Sequence, residues 1–161
     1  MALKVGAAVP ALAEGADVSS LLDYVASAHA AFEIIDDRNA DYAVLNAASI
    51  VAENSWNAGI VVGPPCDPRT LGHLDDVDGE LLINGVSAGV GSSRDVLGGP
   101  LHVLAWLARF LARRGEALRP GQWIMTGSII PTKFPPPGGR LQFTLRGLAP
   151  VSAQILGPPG G

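Results

Sequence analysis

The stretch Ala31-Phe32-Glu33-Ile34-Ile35-Asp36 predicts a buried β-strand that carries an acidic side chain among apolar neighbours. A charged break at Asp37-Arg38-Asn39 ends this strand. Burying a carboxylate costs free energy unless the group has a partner, so Glu33 has either a function or a structural partner such as Arg38 or a backbone donor. Glu33 is therefore the first candidate functional residue.

Periodicity and turn signals predict further elements on both sides of this strand. Strands are predicted at residues 2–6, 58–63, 78–87 (a hairpin with its turn at Asn84-Gly85), 122–126, 140–146 and 151–156. Helices are predicted at residues 17–29 with Asp17 as N-cap, 46–56, and 100–111 beginning at Pro100. The proline-rich loop 127–139 is too irregular for a core element, and we expect it to line a site.

The composition predicts one domain over residues 1–156, followed by a short flexible tail at 157–161. Of the 161 residues, 48% are hydrophobic and only 16% are charged, which favours a partly covered surface and hence an oligomer. A net charge of −4 without a basic stripe argues against nucleic acid as a partner. The single cysteine, Cys66, excludes an internal disulfide and a multi-cysteine zinc site. Without a secretory h-region or an apolar stretch of roughly 18 to 20 residues, we expect a cytoplasmic protein with no membrane partner.

Common catalytic motifs are absent from the sequence. It contains no phosphate-binding glycine pattern and no histidine pair with metal-ligand spacing. Ser128 does not lie in the Gly-x-Ser-x-Gly pattern of a nucleophile elbow. Trp106 and Phe110 are four residues apart on a predicted helix that is apolar on almost every side, so we expect both in the core. These residues alone indicate a mixed domain of helices and strands with one unexplained acid.

A series of short blocks extends in order along nearly the whole chain. The blocks are Phe32-Glu33-Ile34-Ile35-Asp36-x-Arg38, Ala52–Gly63, Asn84-Gly85, Gly89-x-Gly91, Leu97–Pro100, Ala105–Ala108, Gly115-x-x-Leu118-x-x-Gly121 and Ile124–Ser128. Each block is weak alone, but the series resembles the 2-keto-4-pentenoate hydratase and 4-oxalocrotonate decarboxylase branch of the fumarylacetoacetate hydrolase superfamily. The resemblance implies an α+β fold, a mixed β-roll or sandwich of the family's C-terminal type with packed helices.

The resemblance also implies a chemistry. Members of this branch are lyases that act on a small 2-hydroxydienoate or 2-oxo acid, and Mg²⁺ or Mn²⁺ stabilises the enolate. Glu33 matches a metal-binding catalytic carboxylate of the family, and Glu53 with Asn54 matches a catalytic and substrate-binding pair. The strand end that contacts the substrate carboxylate in the family corresponds to Thr126, Gly127 and Ser128.

The chain also departs from the family pattern. Two further metal-binding acids, in a Glu-x-Glu, would fall immediately before Met1, and the family's N-terminal catalytic lysine has no counterpart here. Lys133 is the candidate replacement for that lysine, with a solvated loop lysine as the alternative. Three interpretations follow: an active hydratase-like lyase, a non-catalytic or split-enzyme subunit whose partner supplies the N-terminal half, and a repurposed metal-independent cyclase or isomerase.

Overall fold

The computed structural model describes residues 1–157 and confirms the predicted α+β class. Its strands are β1 (Ala2–Val5), β2 (Val25–His29), β3 (Ala31–Ile35), β4 (Asn57–Val62), β5 (Asp78–Ile83), β6 (Val86–Ser92), β7 (Trp123–Met125), β8 (Arg140–Leu145) and β9 (Val151–Gln154). Its α-helices are α1 (Ala47–Ala52) and α2 (Pro100–Ala112), and its 3₁₀ helices are Val18–Tyr24, Asn54–Trp56, Pro68–Leu71, Leu74–Asp76 and Ser93–Asp95. Four of the five residues of the predicted tail, 158–161, lie outside the described range.

The strands form three antiparallel sheets, with the orders β2-β1-β7, β3-β4 and β6-β5-β8-β9. Leu3 of β1, Leu21 and Leu104 of α2 are completely or almost completely buried and lie in one core cluster. The predicted hairpin is confirmed, because Asn84 (φ 52°) and Gly85 (φ 79°) both adopt the positive φ of a type I′ turn between β5 and β6.

The predicted helix at 17–29 is wrong in its second half. Asp17 does act as the N-cap, because its carboxylate accepts a hydrogen bond from the Ser19 amide at 2.9 Å. The turn that follows is a 3₁₀ helix that ends at Tyr24, and the chain then enters β2. Antiparallel pairing of β2 with β1 buries Val25 and Ala28, and this tertiary contact outweighs the helical spacing of the apolar residues.

The predicted helix at 46–56 is shorter than expected. Asn46 caps α1 with a reciprocal capping box to Ser49, but the α-helix ends at Ala52. The next residues form a 3₁₀ turn in which Asn54, Ser55 and Trp56 all have φ between 50° and 58°. This left-handed turn redirects the chain into β4.

The expectation that Trp106 and Phe110 lie in the core is also wrong. Trp106 is 48% exposed and Phe110 is 37% exposed, and their rings stack with a centroid distance of 5.3 Å. The buried face of α2 instead consists of Pro100, Leu101, Leu104, Ala105 and Ala108. The helix is apolar on two faces, but only the face that carries small residues packs against the rest of the domain.

Two features of the fold create a concave region around Glu33. In the two-stranded sheet, β3 pairs with β4 on one side only, so its other edge has no strand partner within residues 1–157. Residues 130–135 of the loop between β7 and β8 border the same concavity as β3. In the same range, no helix combines the length and the apolar character needed to cross a membrane.

Candidate active site at Glu33

Glu33 lies in the middle of β3, opposite Ile60 of β4. The prediction of a buried strand with a buried acid is wrong, because only Ala31 of β3 is buried and Glu33 is exposed. The strand pairs with β4 alone, so Glu33 borders open concavities and is not enclosed in the core. Its Oε1 accepts a hydrogen bond of 2.8 Å from Nδ2 of Asn57, at the start of β4. The structural alternative of a pair with Arg38 is therefore wrong, because Arg38 bonds elsewhere. Asn57 was not a candidate in the sequence, since the contact depends on the register shift between Ile34 and Ile35 that sets Asn57 opposite Ile35.

A small cavity of about 50 Å³ brings three of the predicted site residues together. Glu33 borders it from β3, and Gly127 and Ser128 border it from the end of β7. Its remaining walls are Met1, Ala31, Met125, Ile129 and Phe143. The volume is close to the share that one or two water molecules occupy in the liquid, ~30 Å³ each, so this cavity has room for a small head group but not for a whole ligand.

Gly127 is required by the shape of the loop at this point. Its φ is +102°, and a Cβ atom added there would lie 2.6 Å from Cγ1 of Val96. Any other residue would therefore be strained in its backbone and would clash with Val96. The glycine thus lets the chain turn tightly beside the cavity.

The hydroxyl groups of the predicted carboxylate-binding residues already have partners. Thr126 is buried, and both its amide (3.1 Å) and its Oγ1 (3.0 Å) donate to the Met1 carbonyl. Ser128 Oγ donates to the Ile130 carbonyl at 2.5 Å. By contrast, the main-chain amides of Gly127 and Ser128 have no acceptor among residues 1–157. These two amides, more than the hydroxyls, are suited to bind an anion.

A larger groove of about 320 Å³ adjoins the small cavity at Glu33, which borders both. One wall is β3, and the other includes Leu81, Leu141 and Ala153 of the four-stranded sheet. Residues 130–135 of the β7–β8 loop complete it, which confirms that part of this loop lines a concave site. Lys133 is one of these residues, so the fold places a lysine and a carboxylate on one groove although they are 100 positions apart in sequence.

Glu53 and Asn54 lie away from this groove. Neither borders the groove or the small cavity, and both are exposed. Glu53 Oε2 accepts a hydrogen bond of 2.6 Å from the Arg38 guanidinium, with both side chains about half exposed. On the same surface the Tyr42 hydroxyl donates to Asp37 at 2.7 Å, and this hydrogen bond raises the pKa of Tyr42. The roles of Glu53 and Asn54 stay predictions.

The electrostatics of the small cavity are dominated by Glu33. Met1 also lines this cavity, and burial lowers the pKa of its α-amino group to about 6. In the described part of the chain, no three His, Cys, Asp or Glu side chains are grouped so that they could hold a metal ion. Within residues 1–157, Glu33 is the only acidic residue that borders the small cavity or the groove.

This arrangement can bind a small acid in a specific orientation. Two main-chain amides without an acceptor in the described residues and one carboxylate lie at the small cavity, and a largely apolar groove adjoins it. The fold and the sequence both agree with one family.

Residues 1–156 match the family model of the fumarylacetoacetate (FAA) hydrolase C-terminal domain, and the chain belongs to this family. It is 34% identical to a 4-oxalocrotonate decarboxylase from Pseudomonas putida over 146 residues, which are 87% of this chain and 52% of that protein. It is 32% identical to a 2-keto-4-pentenoate hydratase from Paraburkholderia xenovorans (strain LB400) over 140 residues, 86% of this chain and 50% of that protein.

A solved structure gives the same result for the fold. The 4-oxalocrotonate decarboxylase from Pseudomonas putida G7, complexed with magnesium and adipate, superposes with a TM-score of 0.84 at 26% identity. The match covers 96% of this chain and 58% of that one. The chain thus spans about half the length of the curated relatives it matches.

Proposed function

We propose that this protein is a lyase of the hydratase or decarboxylase type that acts on a small 2-hydroxydienoate or 2-oxo acid at Glu33. The observation that carries the proposal is the position of Glu33, which borders both the small cavity with Gly127 and Ser128 and the groove with Lys133. The names of the relatives, 4-oxalocrotonate decarboxylase and 2-keto-4-pentenoate hydratase, support the same reaction types.

In this proposal each residue has a defined task. The free amides of Gly127 and Ser128 bind the carboxylate of the acid and fix its orientation. Glu33 faces the oxygen on the carbon next to that carboxylate. The hydrogen bond from Asn57 holds Oε1 of Glu33 in place and leaves its Oε2 available. Lys133, the other charged side chain on the groove, transfers a proton to or from the carbon chain of the substrate.

The residues present fit a divalent cation only in part. Glu33 offers one carboxylate, and Mg²⁺ in proteins is commonly held by one or two carboxylates, with water and substrate oxygens completing its shell. We propose that Glu33 holds Mg²⁺ or Mn²⁺ weakly until the 2-oxo acid contributes its own oxygens. When bound, the cation would act as a Lewis acid for the enolate oxygen.

The test is a titration with Mn²⁺, followed by the electron paramagnetic resonance signal of the free ion, with and without oxalate as a 2-oxo acid mimic. We expect binding that is much tighter with oxalate, and we expect Glu33→Gln to abolish it. Glu14→Gln, which neutralises an exposed acid away from both cavities, is the matched control and should bind as the unaltered protein does. Equal binding by Glu33→Gln would refute the proposed site.

A second candidate function is that of a subunit whose site is completed by another polypeptide. The lone carboxylate on the described concavities favours it, because affinity for hard cations rises with the number of charged oxygen ligands. In that case this chain alone binds no Mn²⁺ even with oxalate. Mn²⁺ binding, and turnover measured as loss of the ultraviolet absorbance of a 2-hydroxydienoate, would then appear only after addition of a second chain that carries the remaining acids.

A further inference from the structure

The proposed function leaves two substrate classes open, since one type of relative takes its name from a diacid and the other from a monoacid. We infer that the groove selects a 2-oxo monoacid with an apolar tail over a diacid of the same length. This inference rests on the proposed function and concerns the part of the ligand farthest from the reacting carbons.

The walls of the groove are almost entirely hydrocarbon. Of the fourteen residues within 1–157 that line it, three have polar side chains: Glu33, Thr132 and Lys133. The other eleven are apolar and include Phe32, Ile34, Leu81, Ile130, Phe134 and Leu141. Binding of alkyl or aryl groups to such a surface is favourable, whereas desolvation of an ion by it is unfavourable.

The size of the groove exceeds that of a five-carbon acid. Its volume of about 320 Å³ corresponds to roughly ten water-sized groups at ~30 Å³ each. With the carboxylate of the acid in the small cavity, most of this volume remains for the tail. Phe134, which is 73% exposed at the rim, gives a long tail an aromatic contact.

The charges on the groove do not compensate for a second carboxylate. Glu33 and Lys133 are its two charged side chains within residues 1–157, and they sum to zero. Lys133 is exposed, so an ion pair with it adds little affinity because water competes for both ions. Each methylene that the apolar walls bury, however, multiplies the affinity by about four. An apolar tail therefore outweighs a terminal carboxylate.

The test uses saturated 2-oxo acids, which bind without turnover, in calorimetric titrations with Mg²⁺ present. The affinity should rise about fourfold per added carbon from 2-oxopentanoate to 2-oxoheptanoate. 2-Oxoheptanoate should bind about tenfold or more tightly than 2-oxoadipate, in which a carboxylate replaces the terminal ethyl group. A diacid that binds as tightly as 2-oxoheptanoate overturns the inference but leaves the proposed function intact, whereas no binding of either acid overturns both.

Variants of the exposed Phe134 make the test specific to the groove. Phe134→Ala should weaken the binding of 2-oxoheptanoate severalfold and leave the binding of 2-oxopentanoate nearly unchanged. Phe134→Lys should weaken the binding of 2-oxoheptanoate as Phe134→Ala does, without strengthening that of 2-oxoadipate more than about threefold, because an exposed cation adds little affinity for a carboxylate. Trp106→Ala removes a comparably exposed aromatic ring that does not border the groove, so its binding should match the unaltered protein. An equal effect of Phe134→Ala and Trp106→Ala contradicts the inference.

Discussion

Glu33 and Glu53 are the same residue type, and both were predicted to be catalytic, but the fold gives them different surroundings. Glu33 lies on a strand, beside a cavity and a groove, with an uncharged amide as its partner. Glu53 lies at the end of α1 on an exposed surface and pairs with the Arg38 guanidinium. Both carboxylates are exposed, but only Glu33 borders the cavity and the groove, so the comparison favours Glu33 as the functional acid.

The largest difference expected between the two regions is in stability. Phe143 is 6% exposed and forms part of the floor beneath Glu33, whereas Val51 near Glu53 is 76% exposed on α1. Phe143→Ala should lower the free energy of unfolding by about 3–5 kcal/mol, because it leaves a cavity in the core. Val51→Ala should change it by less than about 0.5 kcal/mol. Urea unfolding midpoints of the two variants measure this, and similar shifts would break the comparison.

The next effect concerns the loop that gives the Glu33 region its two free amides. Gly127→Ala should cost about 1–3 kcal/mol, from the positive φ and the contact with Val96. Gly15→Ala is the matched control, since Gly15 also has a positive φ (+75°) but no atom within 4 Å of an added Cβ. Thermal unfolding of both variants isolates the contact. If Val96→Ala did not restore the stability lost in Gly127→Ala, the close contact with Val96 would not explain why a glycine is needed at position 127.

A smaller effect is expected at the hydrogen bond between Asn57 and Glu33. Asn57→Ala frees the carboxylate to rotate, and we expect the Mn²⁺ affinity with oxalate to fall about tenfold, as for partners of metal ligands generally. Asn57→Asp places a second acid beside Glu33 and should strengthen Mn²⁺ binding. Unchanged affinity in Asn57→Ala would mean that Glu33 does not need this partner.

These contrasts show which parts of the site could be predicted from the sequence. The strand with Glu33, the hairpin at Asn84 and the glycine turn after β7 follow from local patterns and from the family resemblance. The placement of Lys133 and Glu33 on one groove does not, because it depends on the path of the loop between β7 and β8. The contact with Asn57 depends on a register shift, which no local pattern specifies.

The errors have the same origin. Residues 17–29 have helical spacing, yet pairing with β1 converts Val25–His29 into a strand. Trp106 and Phe110 are apolar and spaced as core residues are, yet the opposite face of α2 is the one that packs. In both cases a periodic pattern correctly identified an apolar surface but could not specify which other element would cover it.

The smallest expected effect tests the other half of the comparison, the pair of Arg38 and Glu53. A double-mutant cycle with Arg38→Met and Glu53→Gln should give a coupling energy below about 1 kcal/mol, because both side chains are about half exposed. High salt should reduce this coupling further, since mobile ions screen exposed charges. Urea unfolding at low and high ionic strength provides the measurement. A larger coupling that is insensitive to salt would mean that Glu53 is held in a desolvated site, and its predicted catalytic role would then deserve the same tests as Glu33.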